Sequence, residues 1–167
     1  MKEKFVYYYM GIAKSTADLS SARKKRVGCI IVKDNRVISM GYNGMPSGWD
    51  NECENWIPHV PFYVHPDDRE IYGTFETKPE VLHAETNAIS KLARSTESGE
   101  GADLFVTCTP CLECAKLIYQ AGIARVFYDE DYDSSKGNGL AFLNRCGIYV
   151  EKVEYAPKNQ VQTLEDQ

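Results

Sequence analysis

The chain has 167 residues, of which 43% are hydrophobic and 26% are charged, and its formal net charge is −5. This length suits one domain with a hydrophobic core, and the acidic balance argues against a nucleic-acid-binding protein, which usually presents a broad basic face. No apolar run approaches the length of a membrane span, so we expect neither nucleic acid nor a membrane among the partners.

The six cysteines are expected to be free thiols. The apolar stretch that begins at Phe5 is too short and too aromatic for a signal peptide. Without a secretion signal a disulfide framework is not expected, and free thiolates are then available to bind a metal. We therefore predict a reducing, cytoplasmic compartment, which for a viral protein would be the host cytoplasm.

Hydrophobic periodicity predicts one helix and then a β-hairpin in the first part of the chain. Apolar residues recur at intervals of three or four over residues 5–19, as on one face of a helix. The β-branched segment 27–32 predicts a buried strand, which a short turn joins to a second strand over 36–40. Residues 41–48 are rich in turn formers, and residues 49–79 show no clean period, so we expect an irregular insert there.

Helices and strands alternate in the second half of the chain. We expect a helix from His83 to near Gly99, then helices over 111–120 and 139–145 and strands over 102–107, 123–128 and 148–153. This order of elements predicts an α/β fold with one sheet between helices, in a single domain over residues 1–155. Residues 156–167 form a polar C-terminal tail.

Two short motifs predict a catalytic zinc site: His83-Ala84-Glu85 and Pro110-Cys111-Leu112-Glu113-Cys114. His83, Cys111 and Cys114 supply three ligands, which leaves a tetrahedral zinc one open position where a water molecule can be activated. Glu85 is placed to move protons between that water and a substrate. An H-x-E motif with a later P-C-x-x-C is the pattern of zinc-dependent nucleobase deaminases.

The alternative is a closed, structural zinc site in which a fourth protein ligand fills the open position. Cys108 is the obvious candidate for that ligand. However, a buried cysteine at the end of a strand is common and explains Cys108 without a metal. A closed site would also leave Glu85 without a function, so we favour the catalytic site.

The residues around these motifs resemble those of the deoxycytidylate (dCMP) deaminases, a branch of the cytidine deaminase-like superfamily. The zinc motifs are shared by the whole superfamily, including cytidine, guanine and tRNA adenosine deaminases. The narrower signal is the loop Gly41-Tyr42-Asn43-Gly44-Met45-Pro46, and the similarity runs from about residue 5 to residue 153. The resemblance implies a three-layer α/β/α sandwich around a mixed five-stranded sheet.

This resemblance also implies an activity and its control. The activity is the hydrolytic conversion of dCMP to dUMP for thymidylate synthesis, with one catalytic Zn²⁺ in each subunit. Family members are typically homohexamers, and many are activated by dCTP and inhibited by dTTP. Each effector binds with Mg²⁺ near the G-Y-N-G loop, here Tyr42, Asn43 and Gly44, at a subunit interface.

The resemblance further implies contacts to the substrate. Asn43 is expected to hydrogen-bond the deoxyribose, the backbone at Ala84 to contact the pyrimidine, and the carbonyl of Thr109 to accept from the exocyclic amine. The phosphate needs a cation, and the most basic segment is 23–26, in which Arg23 and Lys24 are the candidates. The alternative for that segment is a solvated turn.

Tyr132 is a weaker candidate for the phosphate, and we favour the alternative that its ring packs against the last helix. Cys53, His59 and His65 are the remaining potential metal ligands, all within the insert, where some viral family members carry a structural zinc. Their spacing is not a recognised pattern, so a semi-buried cysteine with two surface histidines is the simpler interpretation.

Two other functions remain open from the sequence. A deaminase acting on a base in RNA or DNA would keep the same zinc motifs, but the acidic balance counts against it. A non-catalytic module held together by zinc would not need Glu85 or an open coordination position.

Overall fold

The computed structural model describes residues 1–58, 73–132 and 137–154, and over these ranges the chain forms four helices and seven strands. The helices are α1 (Glu3–Ala17), α2 (Ala84–Leu92), α3 (Leu112–Gln120) and α4 (Gly139–Arg145). The strands are β1 (Gly28–Lys33), β2 (Arg36–Tyr42), β3 (Glu54–Pro58), β4 (Gly73–Thr77), β5 (Asp103–Cys108), β6 (Arg125–Glu130) and β7 (Tyr149–Lys152). No helix within the described ranges has both the length and the apolar character that crossing a bilayer requires.

Five of the strands form a central sheet in the order β2-β1-β5-β6-β7. The strand β1 pairs antiparallel with both β2 and β5, whereas β5, β6 and β7 run parallel to one another. Parallel neighbours need a crossover connection, and α3 and α4 supply the two crossovers. The predicted mixed five-stranded sheet is therefore confirmed.

Two hydrophobic cores lie on the two faces of this sheet, because successive residues of a strand point to opposite sides. The helix α1 covers one face, where Met10 packs with Ile30 and Phe105. The other three helices cover the opposite face, where Ile31 and Leu104 are fully buried. This arrangement is the three-layer α/β/α sandwich that the sequence predicted.

The helix α1 packs unusually close to β1 because that strand begins with a glycine. A Cβ atom at Gly28 would lie 2.1 Å from the carbonyl oxygen of Ala13 and 2.5 Å from the nitrogen of Ala17. Both alanines are buried, and their small side chains allow the approach. The start of β1 is thereby fixed next to the helix, and so is the basic segment that precedes it.

The helix α2 ends at Leu92, earlier than the predicted end near Gly99. After it the backbone N–H groups of Arg94 and Ser95 bond to the carbonyls of Lys91 and Leu92, which is a tighter turn than an α-helix. The Ser95 hydroxyl donates to the Leu92 carbonyl and accepts from the N–H of Glu97. A serine that bonds to local backbone in this way competes with helix continuation.

The expectation of irregular structure across residues 49–79 is wrong for part of the insert. The strands β3 and β4 pair antiparallel as a separate two-stranded sheet, and residues 59–72 lie outside the described ranges. Trp56 pairs directly with Phe75, and their ring centroids are 4.9 Å apart. Most residues of both strands are exposed, so the alternation of polar and apolar residues that marks a half-buried strand is missing.

Candidate active site

Three potential metal ligands meet where α2 and α3 begin. His83 and Cys111 are the N-cap residues of these helices, and Cys114 lies in the first turn of α3. The Nδ1 atom of His83 is 3.3 Å from the Sγ of Cys114 and 3.7 Å from the Sγ of Cys111. Tetrahedral zinc, with metal–ligand bonds of about 2.0–2.3 Å, places its ligands about 3.5 Å apart, so these side chains fit one zinc ion.

The two thiols share a proton, and this sharing separates their acidities. A hydrogen bond from Cys114, with a smaller contribution from His83, lowers the pKa of Cys111 to about 3. The same hydrogen bond, together with burial, raises the pKa of Cys114. A bound zinc ion would displace that proton and coordinate both sulfurs as thiolates.

Cys108 does not join this group of ligands. Within the described part of the chain, the one group of side chains close enough to hold a metal ion is His83, Cys111 and Cys114. Burial, with a further contribution from the charge of Glu85, raises the pKa of Cys108 to about 12, so its thiol stays protonated. The geometry therefore favours an open fourth position over a closed site.

Glu85 lies beside the ligands and is almost fully buried, with 3% of its surface exposed. Burial raises the pKa of its carboxyl group, and the neighbouring charge of Cys111 adds to the rise. A carboxyl whose pKa is raised towards neutrality can both accept and deliver a proton at working pH. The helix start thus places an acid/base group next to the potential metal site.

A pocket of about 130 Å³ opens onto these residues. Its walls bring together most of the residues that the sequence singled out and add several others: Lys24, Lys25, Val27, Asn43, Glu54, Thr77, Val81, His83, Ala84, Glu85, Cys108, Thr109, Cys111 and Tyr132. A larger cleft, of about 820 Å³, lies between the start of α1 and the strands β6 and β7. None of the described residues lining that cleft is a cysteine or a histidine, so the potential metal chemistry belongs to the smaller pocket.

Arg23 is not part of the pocket wall. Its guanidinium carbon lies over the ring of Phe75 on β4, 5.5 Å from the ring centroid. The structure therefore separates the two predicted phosphate contacts, since Lys24 lines the pocket and Arg23 packs on the hairpin formed by β3 and β4.

Asn43 lines the pocket and also braces one of its walls. Its side-chain Oδ1 accepts from the N–H of Val27, and its Nδ2 donates to the carbonyl of Lys25, both at 2.8 Å. These bonds hold the segment that carries the lysines against the end of β2. A contact to deoxyribose would therefore use the second hydrogen of Nδ2 or the second lone pair of Oδ1.

Thr109 and Tyr132 are tied together just after the ends of β5 and β6, at the same edge of the sheet as the start of β1. The Thr109 hydroxyl donates to the carbonyl of Tyr132 at 2.7 Å and accepts from its N–H at 2.9 Å. The N–H of Thr109 bonds to the carbonyl of Glu130. Both residues line the pocket, and the Tyr132 ring remains half exposed at its edge.

Lys25 and Glu54 are pocket residues that the sequence did not single out. Lys25 forms an ion pair with Glu130, which raises the pKa of the lysine and lowers the pKa of the carboxyl. Lys25 belongs to the basic segment, so its charge was a usable signal. Glu54 had no such signal, because it lies in a stretch without a recognisable period.

Comparison with known proteins assigns the chain to a family. The sequence model described as cytidine and deoxycytidylate deaminase zinc-binding region matches residues 3–130. The deoxycytidylate deaminase of Enterobacteria phage T4 is 35% identical over 83% of this chain and 83% of its own length. The human deoxycytidylate deaminase is 34% identical over 90% of this chain and 79% of its own length. The chain belongs to the deoxycytidylate deaminase family.

Solved structures agree with this assignment. The dCMP deaminase of the cyanophage S-TIM5, crystallised with dCMP and dUMP, is 37% identical. It superimposes with a TM-score of 0.76 over 91% of this chain and 98% of its own. Both the predicted family and the predicted cytidine deaminase-like fold are therefore confirmed, and zinc is the metal that the family's matched region binds.

Of the three residues considered for a second metal site in this deoxycytidylate deaminase family member, only Cys53 lies within the described ranges. Cys53 is buried in a small apolar cluster with Ala22, Val81 and Met45. It belongs to no metal-binding group within the described ranges, while His59 and His65 lie outside them. The described surroundings of Cys53 are those of a packed cysteine.

The G-Y-N-G loop is tied to the segment just before the potential metal ligand His83. Gly44 and Leu82 exchange two backbone hydrogen bonds, of 3.1 and 2.9 Å. The carbonyl of Tyr42 accepts from the side chain of Asn87 in α2. Tyr42 and Gly44 also line a separate cleft with Lys91 of α2, so a ligand in that cleft would contact the helix that begins at the metal site.

Proposed function

We propose that this protein deaminates dCMP hydrolytically to dUMP and so supplies dUMP for thymidylate synthesis. The observation that carries the proposal is one pocket whose wall brings two members of the zinc-compatible group, His83 and Cys111, and the buried carboxyl of Glu85 together with two lysines. Two relatives named deoxycytidylate deaminase and a related enzyme crystallised with dCMP and dUMP support this choice of substrate.

Zinc, held by His83, Cys111 and Cys114, would supply a Lewis acid that makes water nucleophilic at neutral pH. Glu85 would take the proton from the attacking water and deliver it to the ring nitrogen next to the attacked carbon. It would then carry the remaining proton of the added hydroxyl to the amino group, so that the C–N bond breaks, the carbonyl forms and ammonia leaves. Burial suits Glu85 to the first step, because a raised pKa makes its carboxylate a stronger base towards the proton of the water.

The base and the sugar would be held by the walls next to Glu85. We propose that the carbonyl of Thr109 accepts from the exocyclic amine, that the backbone of Ala84 contacts the pyrimidine, and that Asn43 contacts the deoxyribose. All three residues line the pocket. Their backbone bonds to neighbouring segments would keep these groups fixed before the substrate arrives.

The phosphate would be bound by Lys24, with Lys25 beside it. Both residues line the pocket and precede β1, whose start is fixed against α1. Lys25 would exchange its ion pair with Glu130 for the phosphate. Arg23 would contribute less than Lys24, because its guanidinium packs on Phe75.

The two other functions are less well supported. A deaminase acting on RNA or DNA needs cations and aromatic rings along a strand-sized surface, and the chain has a net charge of −5. A non-catalytic zinc module has no use for a buried carboxyl next to the metal ligands.

One assay separates these functions. The purified protein is incubated separately with dCMP, dCTP, deoxycytidine and a cytosine-bearing oligonucleotide, and ammonia and the uracil product are measured. We expect turnover of dCMP well above that of the other three substrates. Faster turnover of the oligonucleotide would favour the nucleic-acid deaminase, and no turnover of any substrate by zinc-loaded protein would favour the non-catalytic module.

We further propose that the enzyme is a homo-oligomer, with a hexamer favoured, which dCTP activates and dTTP inhibits in the presence of Mg²⁺. The cleft next to the G-Y-N-G loop supports this, because it carries the cations Lys91 and Arg94 and the half-exposed ring of Trp49. Native mass spectrometry tests the assembly. Initial rates against dCMP with and without dCTP and Mg²⁺ test the regulation, and a hyperbolic curve that dCTP leaves unchanged would mean an unregulated enzyme.

A further inference from the structure

Glu54 is a buried carboxylate on the pocket wall that the proposed chemistry leaves without a role. It opens β3, pairs in register with Thr77 on β4, and is 8% exposed. It lines the same pocket as Glu85 but lies outside the group of metal ligands. A charged group in such a place is costly unless it has partners, so its contacts indicate its use.

One oxygen of Glu54 holds the segment that carries the lysines. Its Oε1 accepts from the backbone N–H groups of Arg23, at 3.0 Å, and Lys24, at 3.2 Å. These two bonds connect the β3–β4 hairpin to the residues that precede β1. The hairpin therefore positions Lys24 on the pocket wall.

The other oxygen, Oε2, has no hydrogen-bond donor within the described structure. Every fully buried side-chain oxygen or nitrogen in the described ranges does have a partner. Oε2 is therefore not sealed inside the protein, and Glu54 is one of the residues that line the pocket.

We propose that Oε2 of Glu54 accepts a hydrogen bond from the 3′-hydroxyl of the substrate nucleotide and selects for that hydroxyl. This inference rests on the proposed function. A carboxylate can only accept hydrogen bonds, and dCMP offers two donors, its exocyclic amine and its 3′-hydroxyl. The amine must lie beside Glu85 and the metal ligands to react, and the phosphate is an anion that a carboxylate repels, which leaves the hydroxyl.

The same carboxylate would thus join two parts of nucleotide recognition. Its Oε1 fixes the backbone of Lys24, whose side chain would bind the phosphate, and its Oε2 would bind the sugar. The 5′-phosphate and the 3′-hydroxyl belong to the same deoxyribose. A residue that contacts the hydroxyl and also holds Lys24 can therefore fix the distance between the two binding sites. The inference also assigns a function to the hairpin.

A substrate that lacks the hydroxyl tests the assignment. We would measure kcat/KM for dCMP and for 2′,3′-dideoxy-CMP with the wild-type enzyme and with the Glu54→Ala and Glu54→Gln variants. A hydrogen bond to a charged acceptor predicts that the wild type prefers dCMP by roughly 10- to 100-fold. The preference should fall to about threefold or less in Glu54→Ala, because neither substrate then finds the acceptor.

The Glu54→Gln variant keeps the test decisive if the Glu54→Ala variant does not fold. Its amide carbonyl can still accept from Arg23 and Lys24, so the segment stays in place, while its second group is no longer a charged acceptor. We expect the preference for dCMP to fall several-fold in this variant. Glu76→Gln on the paired strand removes the same charge from an exposed position and should leave the preference unchanged.

The outcomes separate the inference from the proposed function. If Glu54 only positions Lys24, its variants will lose activity towards both substrates equally and keep the wild-type preference, which would overturn the inference alone. A wild-type enzyme without preference between the two substrates would overturn it as well. A wild-type enzyme that deaminates no dCMP would refute the proposed function, and the inference would fall with it.

Discussion

Gly41 on β2 lies directly against Ala84 in the first turn of α2, and a Cβ atom at position 41 would be 2.3 Å from the Ala84 carbonyl oxygen. The same atom would lie 2.5 Å from the nitrogen of Ala88. The backbones of strand and helix are therefore in contact. Since His83 and Glu85 flank Ala84, we expect this contact to fix the position of the potential metal ligand and of the proposed acid/base group in the pocket.

We expect Gly41→Ala to displace α2 and impair catalysis more than stability. The added methyl group meets backbone on both sides, so the helix must move, at a cost of about 1–3 kcal/mol in the free energy of unfolding. A shift of about 1 Å at the acid/base group can lower kcat/KM by about 100-fold. Thermal unfolding and steady-state kinetics measure the two effects.

Gly11→Ala is the matched control for that substitution. Position 11 lies within α1, and no atom lies within 4 Å of a Cβ atom built there. Alanine is favoured over glycine in a helix by about 1 kcal/mol, so this variant should unfold at the same or a higher temperature and keep full activity. A Gly41→Ala enzyme with the kinetics of Gly11→Ala would show that the contact does not position Glu85.

Glu85→Gln should bind zinc and lose nearly all turnover. The amide keeps the size of the side chain, and His83, Cys111 and Cys114 are unchanged, so zinc content should stay near one ion per chain. Loss of the proton carrier should lower kcat by about 100- to 10,000-fold. Glu113→Gln, an exposed carboxyl in the first turn of α3, should keep wild-type kcat. Substantial turnover by Glu85→Gln would remove its assignment.

Lys24→Gln should weaken binding of dCMP far more than binding of deoxycytidine. Lys24 lines the pocket, and loss of one charged hydrogen bond to the phosphate should raise KM for dCMP by about tenfold or more. Deoxycytidine has no phosphate, so its KM should change little. Arg23→Gln is the control from the same segment, and its effect should be smaller because the Arg23 guanidinium packs on Phe75. Equal losses on both substrates would exclude a phosphate contact at Lys24.

The central sheet and the metal ligands could be predicted because short-range patterns encode them. The β-branched run forms β1, whose side chains are buried on both faces of the sheet. The spacing of Cys111 and Cys114 places both residues at the start of one helix. Neither inference requires knowledge of distant contacts. The end of α2 was misplaced because Ser95 bonds to local backbone, a competition that periodicity does not show.

The hairpin and the positions of Glu54 and Lys24 on the pocket wall could not be predicted because they depend on tertiary contacts. The strands β3 and β4 are mostly exposed, so they lack the alternation that marks a strand. Glu54 acquires its place through two bonds to residues about thirty positions earlier in the chain. Which side chain of a basic segment faces a pocket depends on how the loop is held, so charge alone could not separate Lys24 from Arg23.

Zinc content should distinguish the cysteines that bind metal from those that only pack. Cys114→Ala removes one of three ligands and should bring zinc close to zero, with loss of activity and a lower unfolding temperature, since a metal that binds only the folded state stabilises it. Cys108→Ala should keep one zinc per chain, because Cys108 lies outside the ligand group and its thiol is protonated. Cys53→Ser should also keep one, since Cys53 packs among apolar side chains. Two zinc ions in the wild type, with one lost in Cys53→Ser, would instead establish a second metal site in the insert.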